Sequence, residues 1–322
     1  MISTLWTNFL AAVGALAVAR LTILAARRLH QLYLRRSTLS RYLSKDPGCP
    51  SWALVTGASD GIGKAFANEL CARGANIILH GRNESKLRRV KAELIAAHPN
   101  RNVEVAVADA AQYDSKAAID KIVQLAGSLP DGGSLRILVN NVGGANALIG
   151  QGIFHRVTDT TLDEIDTLIN VNVRFPTRLT TALLPILTAS NNAPTLIFNL
   201  GSLAGVNRLP YTVVYNATKA FNLSFSASLA AEMATEGQDV EVIGLIVGSV
   251  DTAGAPKEDQ DAPFCIEPSE MAKSALDSVG CGEPVLAAHW KHWLTVAILK
   301  LVPQTMITSK TRANWIKEKK AK

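Results

Sequence analysis

The chain has 322 residues, 48% of them hydrophobic and 19% charged, with a formal net charge of +6. That content is enough to bury a full-sized core and fits one large α/β domain with extensions, not a disordered or fibrous chain. The basic excess gathers in Arg27, Arg28, Arg35, Arg36, Arg41 and Lys45 and in the tail from Lys310. It sits beside apolar segments and not over a folded face with aromatic platforms, which argues against a nucleic-acid partner and for a membrane surface.

Leu5 to Ala26 is almost wholly apolar, interrupted by Thr7, Asn8, Arg20 and Thr22. About 20 such residues cross a bilayer, so residues 1–26 are expected to be a transmembrane anchor. Ala15-Leu16-Ala17 would suit a signal-peptide cleavage site, but no Lys or Arg precedes the run and the positive charge follows it. That order favours an anchor and leaves the folded domain on the cytosolic side. Residues 27–50 read as a basic linker ending at Asp46 to Pro50. Cys49, Cys71, Cys265 and Cys281 show no short paired spacing and no matching histidine cluster, so neither a metal site nor a disulfide framework is expected.

Trp52 to Thr56 is a short apolar run closed by glycine, as a buried parallel strand requires. Thr56 to Gly63 follows, containing Gly57, Ser59, Asp60, Gly61, Ile62 and Gly63, with glycines spaced G-x-x-x-G-x-G. Glycine lets the backbone approach a pyrophosphate, and the N-terminus of the next helix supplies N–H donors and a positive dipole. Ile77 to His80 is the next strand. About twenty residues past the glycines, where an acid would hold a ribose 2′-hydroxyl, stand Gly81 and Arg82, with Lys86, Arg88 and Arg89 close behind. An arginine there grips a 2′-phosphate, which selects NADP(H); the alternative is that these cations solvate a helix face.

Glu84 to Ala97 reads as a charged helix and Val103 to Val107 as a strand. Asp109 just after it either accepts a hydrogen bond from an adenine amino group or caps the next turn. A helix near Ser115 to Leu125 leads to the strand Ile137 to Val139. Asn140-Asn141-Val142-Gly143 then brings polar side chains and a close backbone to the same edge. A long helical region spans Leu162 to Leu187 and includes Asn172, with Pro176 and Pro185 as expected irregularities. Strands at Thr195 to Asn199 and Glu241 to Val247 flank a helix from Val214 to Thr235. The alternation predicts a doubly wound parallel sheet with helices on both faces.

Between those last strands lies Ser202 to Lys219, SLAGVNRLPYTVVYNATK. Tyr215 and Lys219 are four residues apart, on one face of a helix. A nearby ammonium stabilises a phenolate and draws the tyrosine toward the working range of a general acid. Ser202, before the turn Gly205 to Pro210, can return to the same place and hydrogen-bond a substrate oxygen. Past Val247 the rhythm breaks. Asp251 to Pro268 is a polar, proline-rich loop, read either as a substrate lid or as a plain surface loop. Ser269 to Ser278 looks helical, with Ser269 as its N-cap. Trp290 to Val302 is too short to span a bilayer and is read either as an interfacial helix or as an ordinary packed one.

These pieces, in this order, resemble the short-chain dehydrogenase/reductase family. The resemblance covers about Ser51 to Thr252 and rests on TGASDGIG, NNVG, Asn172, Ser202 and YNATK, with Ser202 thirteen residues before Tyr215. It implies a Rossmann-type domain over 51–289 with a substrate loop at 251–268, and residues 290–322 as an interfacial, membrane-proximal extension with a basic tail. It implies Tyr215 as proton donor and Ser202 as partner of the carbonyl oxygen. It implies Lys219 as the group that lowers the tyrosine and binds the nicotinamide ribose, and Asn172 as holder of a relay water. Val247, Gly248, Val250 and Thr252 would frame the nicotinamide; Val247 replaces the usual proline there.

Within that family the chain looks most like the membrane-bound branch of very-long-chain 3-oxoacyl-CoA reductases and 17β-hydroxysteroid dehydrogenases. The resemblance implies NADPH/NADP+ as cofactor and a lipophilic ketone as substrate. A 3-oxoacyl-CoA comes first, with a steroid, terpenoid or polyketide ketone as the alternative and a non-catalytic membrane adaptor as a remote one. Lys319 and Lys320 look like a dilysine retrieval signal of the endoplasmic reticulum, and equally suit anionic lipid. A homo-oligomer is left open.

Overall fold

The computed structural model describes residues 2–30, 35–44, 46, 48–145, 154–189, 193–255, 260, 262 and 264–320. Seven runs rich in Val, Ile and Leu form strands: β1 (Ser51–Thr56), β2 (Asn76–Gly81), β3 (Val103–Val107), β4 (Ser134–Asn140), β5 (Thr195–Leu200), β6 (Val240–Leu245) and β7 (Val285–Leu286). They pair in parallel in the order β3-β2-β1-β4-β5-β6-β7, with Leu54 opposite Ile78 on one side and Leu138 on the other. All strands point the same way, so the loops after β1, β4, β5 and β6 meet at one edge. The order reverses beside β1, which opens the crevice where such sheets bind ligands.

Successive strand residues face opposite ways. Ala53 and Val55 enter a layer with Phe66, Leu70 and Phe198, whereas Trp52 and Leu54 enter the other with Phe175, Leu179 and Leu183. The helices that cover the sheet are α2 (Gly61–Ala72), α3 (Glu84–Ala97), α4 (Lys116–Gly127), α5 (Leu162–Ile169), α6 (Phe175–Thr188), α7 (Val213–Thr235) and α8 (Pro268–Asp277). The long region expected from 162 to 187 is broken by a π-helical segment, Asn170–Arg174. Pro176 has no N–H to give the Asn172 carbonyl, so the ladder shifts register there, and the Phe175 N–H bonds Asn170 O.

Helix α8 starts one residue earlier than expected. Its N-cap is Glu267, in a capping box with Glu270, and not Ser269. Pro268 suits the first helical position, which draws the start back and leaves Ser269 inside the first turn.

The N-terminal helix α1 (Ile2–Leu29) forms, with Trp6, Phe9, Leu10 and Leu16 exposed. Among the described residues, however, no helix is long and apolar enough to cross a membrane. The transmembrane anchor expected over 1–26 is therefore not supported; Thr7, Asn8, Arg20 and Thr22 interrupt the apolar run.

The described part of the expected linker is docked. Arg35 donates to the carbonyls of Gly280 (2.5 Å), Ser278 (3.2 Å) and Val279, and Ser37 Oγ donates to Leu276 O at 2.6 Å. Tyr42 Oη donates to Glu241 Oε2 at 2.6 Å, and the other oxygen of Glu241 accepts the Gly280 N–H at 2.6 Å. Burial and that carboxylate push the Tyr42 phenol well above its ordinary value.

Residues 290–320 form α9 (Trp290–Leu301) and α10 (Gln304–Lys320). Both pack on the domain. Trp315 stacks on Tyr211 at 4.8 Å between ring centroids, and Gln304 Nε2 donates to Arg208 O at 2.6 Å. Tyr211 has a φ of +65°, costly for a side-chain-bearing residue, and its carbonyl accepts the His155 N–H at 2.7 Å.

Candidate active site

The first wall is built by the loops after β1 and β4. Thr56 Oγ1 donates to Val139 O at 3.2 Å and accepts the N–H groups of Asn141 (2.9 Å) and Val142 (3.0 Å). Asn141 Nδ2 donates to the carbonyls of Thr56 (2.9 Å) and Gly57 (3.2 Å), so its amide braces the loop. Gly57 has a φ of +65°, and a Cβ there would sit 3.0 Å from Asn141 Nδ2 and from Val142 Cα. On Gly63 a Cβ would collide with the Gly57 carbonyl. Asp60 caps α2 through the Gly61 N–H at 2.8 Å. The next N–H groups of the first turn have no acceptor inside the helix and remain for an anion. This is a cradle that any side chain would fill, and it fits a dinucleotide pyrophosphate.

The facing wall comes from β5 and α7. Lys219 is buried, at 5% exposure, and its Nζ donates to Leu200 O at 2.9 Å. It lies 5.9 Å from the centroid of the Tyr215 ring, so the two side chains share one face of α7. Burial lowers the Lys219 pKa from 10.5 to about 8. The turn 203–210 lies tightly on α7: a Cβ on Gly205 would come within 2.8 Å of the Ala220 nitrogen and the Lys219 carbonyl carbon. Ser202 opens that turn, its Oγ accepting the Ala204 N–H at 3.1 Å, and lines the same cavity as Tyr215.

Gly57, Asp60, Gly61, Ile62, Asn141, Ser202, Tyr215, Lys219, Val247, Gly248, Val250 and Thr252 all line one cavity of about 590 Å³. Thr252 closes over the cradle, since a Cβ on Gly61 would be 3.0 Å from its methyl carbon. Asn172 is fully buried behind this wall. Its Oδ1 accepts the Gly144 N–H at 2.9 Å and its Nδ2 donates to Gly144 O at 3.2 Å. A Cβ on Gly143 would touch both Asn172 Oδ1 (2.5 Å) and Lys219 Nζ (3.4 Å), which places the amide next to the amine.

Ser59, Gly63, Arg82 and Asp109 do not line the cavity. Arg82 is exposed just past β2. Asp109 Oδ1 accepts the Ala111 N–H at 2.9 Å, so the turn-capping alternative is realised. Sequence reasoning missed the Leu200 carbonyl, Phe154, Leu209 and Leu299 of α9, which complete the wall. No local motif marks them, because each arrives from a distant element. In the loop 251–268, Gln260 Nε2 donates to Thr252 O at 2.9 Å; residues 256–259, 261 and 263 lie outside the described residues.

A family model described as short chain dehydrogenase matches residues 51–263. The chain is 31% identical over 294 residues to a very-long-chain 3-oxoacyl-CoA reductase of Pyricularia oryzae, covering 90% of this chain and 82% of the relative. It is 32% identical over 271 residues to the protein of the same name in Podospora anserina, covering 84% and 74%. Among solved structures, a short-chain dehydrogenase from Sphingobium yanoikuyae in complex with NADPH aligns with a TM-score of 0.63 at 26% identity, covering 78% of this chain and 94% of that one. A 3-ketoacyl-(acyl-carrier-protein) reductase from Brucella melitensis complexed with NADH aligns with a TM-score of 0.59 at 26% identity, covering 74% and 94%.

The Lys219 geometry has a pH signature. Between about 8 and 10.5 the unfolded chain binds a proton that the folded chain does not, so stability rises with pH through that window. In urea titrations the stability of wild type relative to Lys219→Met is expected to climb by about 2–3 kcal/mol from pH 7.5 to 10.5. A flat difference would mean that the ammonium is solvated.

Proposed function

The chain belongs to the short-chain dehydrogenase/reductase family, and from that premise we propose that it reduces the 3-keto group of a 3-oxoacyl-CoA with NADPH, as in fatty-acid elongation. The observation that carries this reading is that Tyr215, Lys219 and Ser202 line the same cavity as the glycine cradle. NADPH, when bound, supplies the hydride.

Tyr215 gives its phenolic proton to the carbonyl oxygen as charge builds there. Ser202 Oγ already accepts the Ala204 N–H, which leaves its own hydrogen to donate to the same oxygen. Lys219 has three N–H donors, and the Leu200 carbonyl takes one. The others serve the ribose hydroxyls and keep positive charge near the phenolate. Asn172 connects that amine to solvent through a held water. Phe154, Leu203, Leu209 and Leu299 give the cavity an apolar flank for an acyl chain.

We also place the protein at the endoplasmic-reticulum membrane with its domain facing the cytosol. Support comes from the exposed apolar side chains of α1, from Ile298 and Leu301 exposed on α9, and from the basic tail.

With purified protein, NADPH consumption on a panel of 3-oxoacyl-CoAs, steroids and cyclic ketones is expected to be fastest on the thioesters. Tyr215→Phe should retain under about 1% of it, as loss of a general acid typically costs 10²–10⁴-fold; equal rates would remove Tyr215 from the mechanism. Arg82→Ala should weaken NADPH by roughly 1.5–3 kcal/mol and leave NADH nearly unchanged; equal losses would contradict a 2′-phosphate contact. A chain truncated before Arg35 should leave the membrane fraction, and its retention there would make the C-terminal helices the attachment.

A further inference from the structure

Past β6 the chain runs as residues 246–250 along the cavity wall. Its backbone is held from outside: the Ile246 N–H goes to Leu286 O at 2.8 Å, Val247 O accepts the Leu203 N–H at 2.8 Å, and Val250 bridges Ile266. Val247 has no ring to fix its own φ. Another device must fix the strip.

His292, in the first turn of α9, is fully buried against it. A Cβ on Gly248 would lie 2.5 Å from His292 Cδ2 and 2.9 Å from Nε2, so the ring rests on the Gly248 backbone. Nε2 is 3.1 Å from Ser249 O. A carbonyl oxygen only accepts, so Nε2 carries the hydrogen. Burial lowers the imidazole pKa to about 4 and keeps the ring neutral.

The same Ser249 carbonyl accepts the Ile266 N–H at 3.2 Å, and the neighbouring Lys291 Nζ donates to Cys265 O at 3.1 Å. One helical turn therefore grips both ends of the loop 251–268, while Leu299 from the far end of α9 lines the cavity.

We propose that His292 is a positioning residue of the cofactor site. By donating to Ser249 O and filling the space behind Gly248, it sets the depth of the 247–249 backbone against the nicotinamide end of NADPH. Its contacts with the strip are to backbone, its ring also meets His289 edge-on at 5.9 Å between centroids, and the inference rests on the reading that NADPH occupies this cavity.

Calorimetry on the full-length protein tests it with two ligands, NADPH and 2′,5′-ADP, which carries only the adenosine end. His292→Phe fills the ring's volume but cannot donate, whereas His292→Gln brings an amide N–H to the carbonyl. His292→Phe is expected to weaken NADPH roughly three- to tenfold, the scale of one hydrogen bond, with 2′,5′-ADP changed by less than about twofold. His292→Gln should restore NADPH to within about twofold of wild type. Gly248→Ala, which pushes the ring off the strip, should show the same selective loss and decides the question if His292→Phe does not fold. Unchanged NADPH affinity, or equal loss of both ligands, would overturn the proposal. Failure of wild type to bind either ligand would instead sink the cofactor reading beneath it.

Discussion

A lysine amine buried to 5% exposure, hydrogen-bonded to the Leu200 carbonyl and facing the Tyr215 ring, is the constraint around which the site is built. Removing an ammonium from water costs folding energy, and the lowered pKa of Lys219 records that cost. The surroundings make the position hard to leave. Gly205 lets the turn 203–210 press on the Lys219 backbone, and Gly143 clears space between the amine and Asn172. Gly201 is glycine because a Cβ would overlap Leu223 on the same helix. This desolvated amine stands where proton transfer needs a poised cation.

Beneath this wall the strands are tied by buried polar side chains. Asn140 Nδ2 donates to Thr180 Oγ1 (2.7 Å) and to Asn199 Oδ1 (2.8 Å), and Asn199 Nδ2 donates to Ser226 Oγ at 2.9 Å. This chain joins α6, β4, β5 and α7, so the helix that carries Tyr215 and Lys219 is keyed to the strands that end at the cavity. Only Asn140 Oδ1 lacks a partner among the described atoms of this network, and a slipped register would strand the other polar groups in the interior as well. The outer edge is closed differently, by the C-terminal helices. Leu299 reaches the cavity from α9, and Trp315 of α10 packs on Tyr211.

Much of this was legible from local patterns. Helix α3 falls at Glu84–Ala97 and β3 at Val103–Val107, as the residue types dictate. The Tyr215–Lys219 spacing placed both groups on one face. What could not be read depends on partners far along the chain. Arg35 seeks carbonyls some 245 residues away, so a run of basic residues resembled a linker when part of it is a dock. The Leu200 carbonyl has no sequence mark as the seat of an amine. Glu267 outcompeted Ser269 as a cap because Pro268 moved the helix start. Asn172 was visible as a residue, but the π segment that turns it toward Gly144 follows from a missing N–H at Pro176.

The Lys219 ammonium is poised by burial beside the cavity. The direct measurement is an NMR titration of its side-chain Cε resonance in ¹³C-lysine-labelled protein, assigned by its loss in Lys219→Arg. A midpoint near pH 8 is expected. A midpoint at the ordinary lysine value of about 10.4 would contradict it.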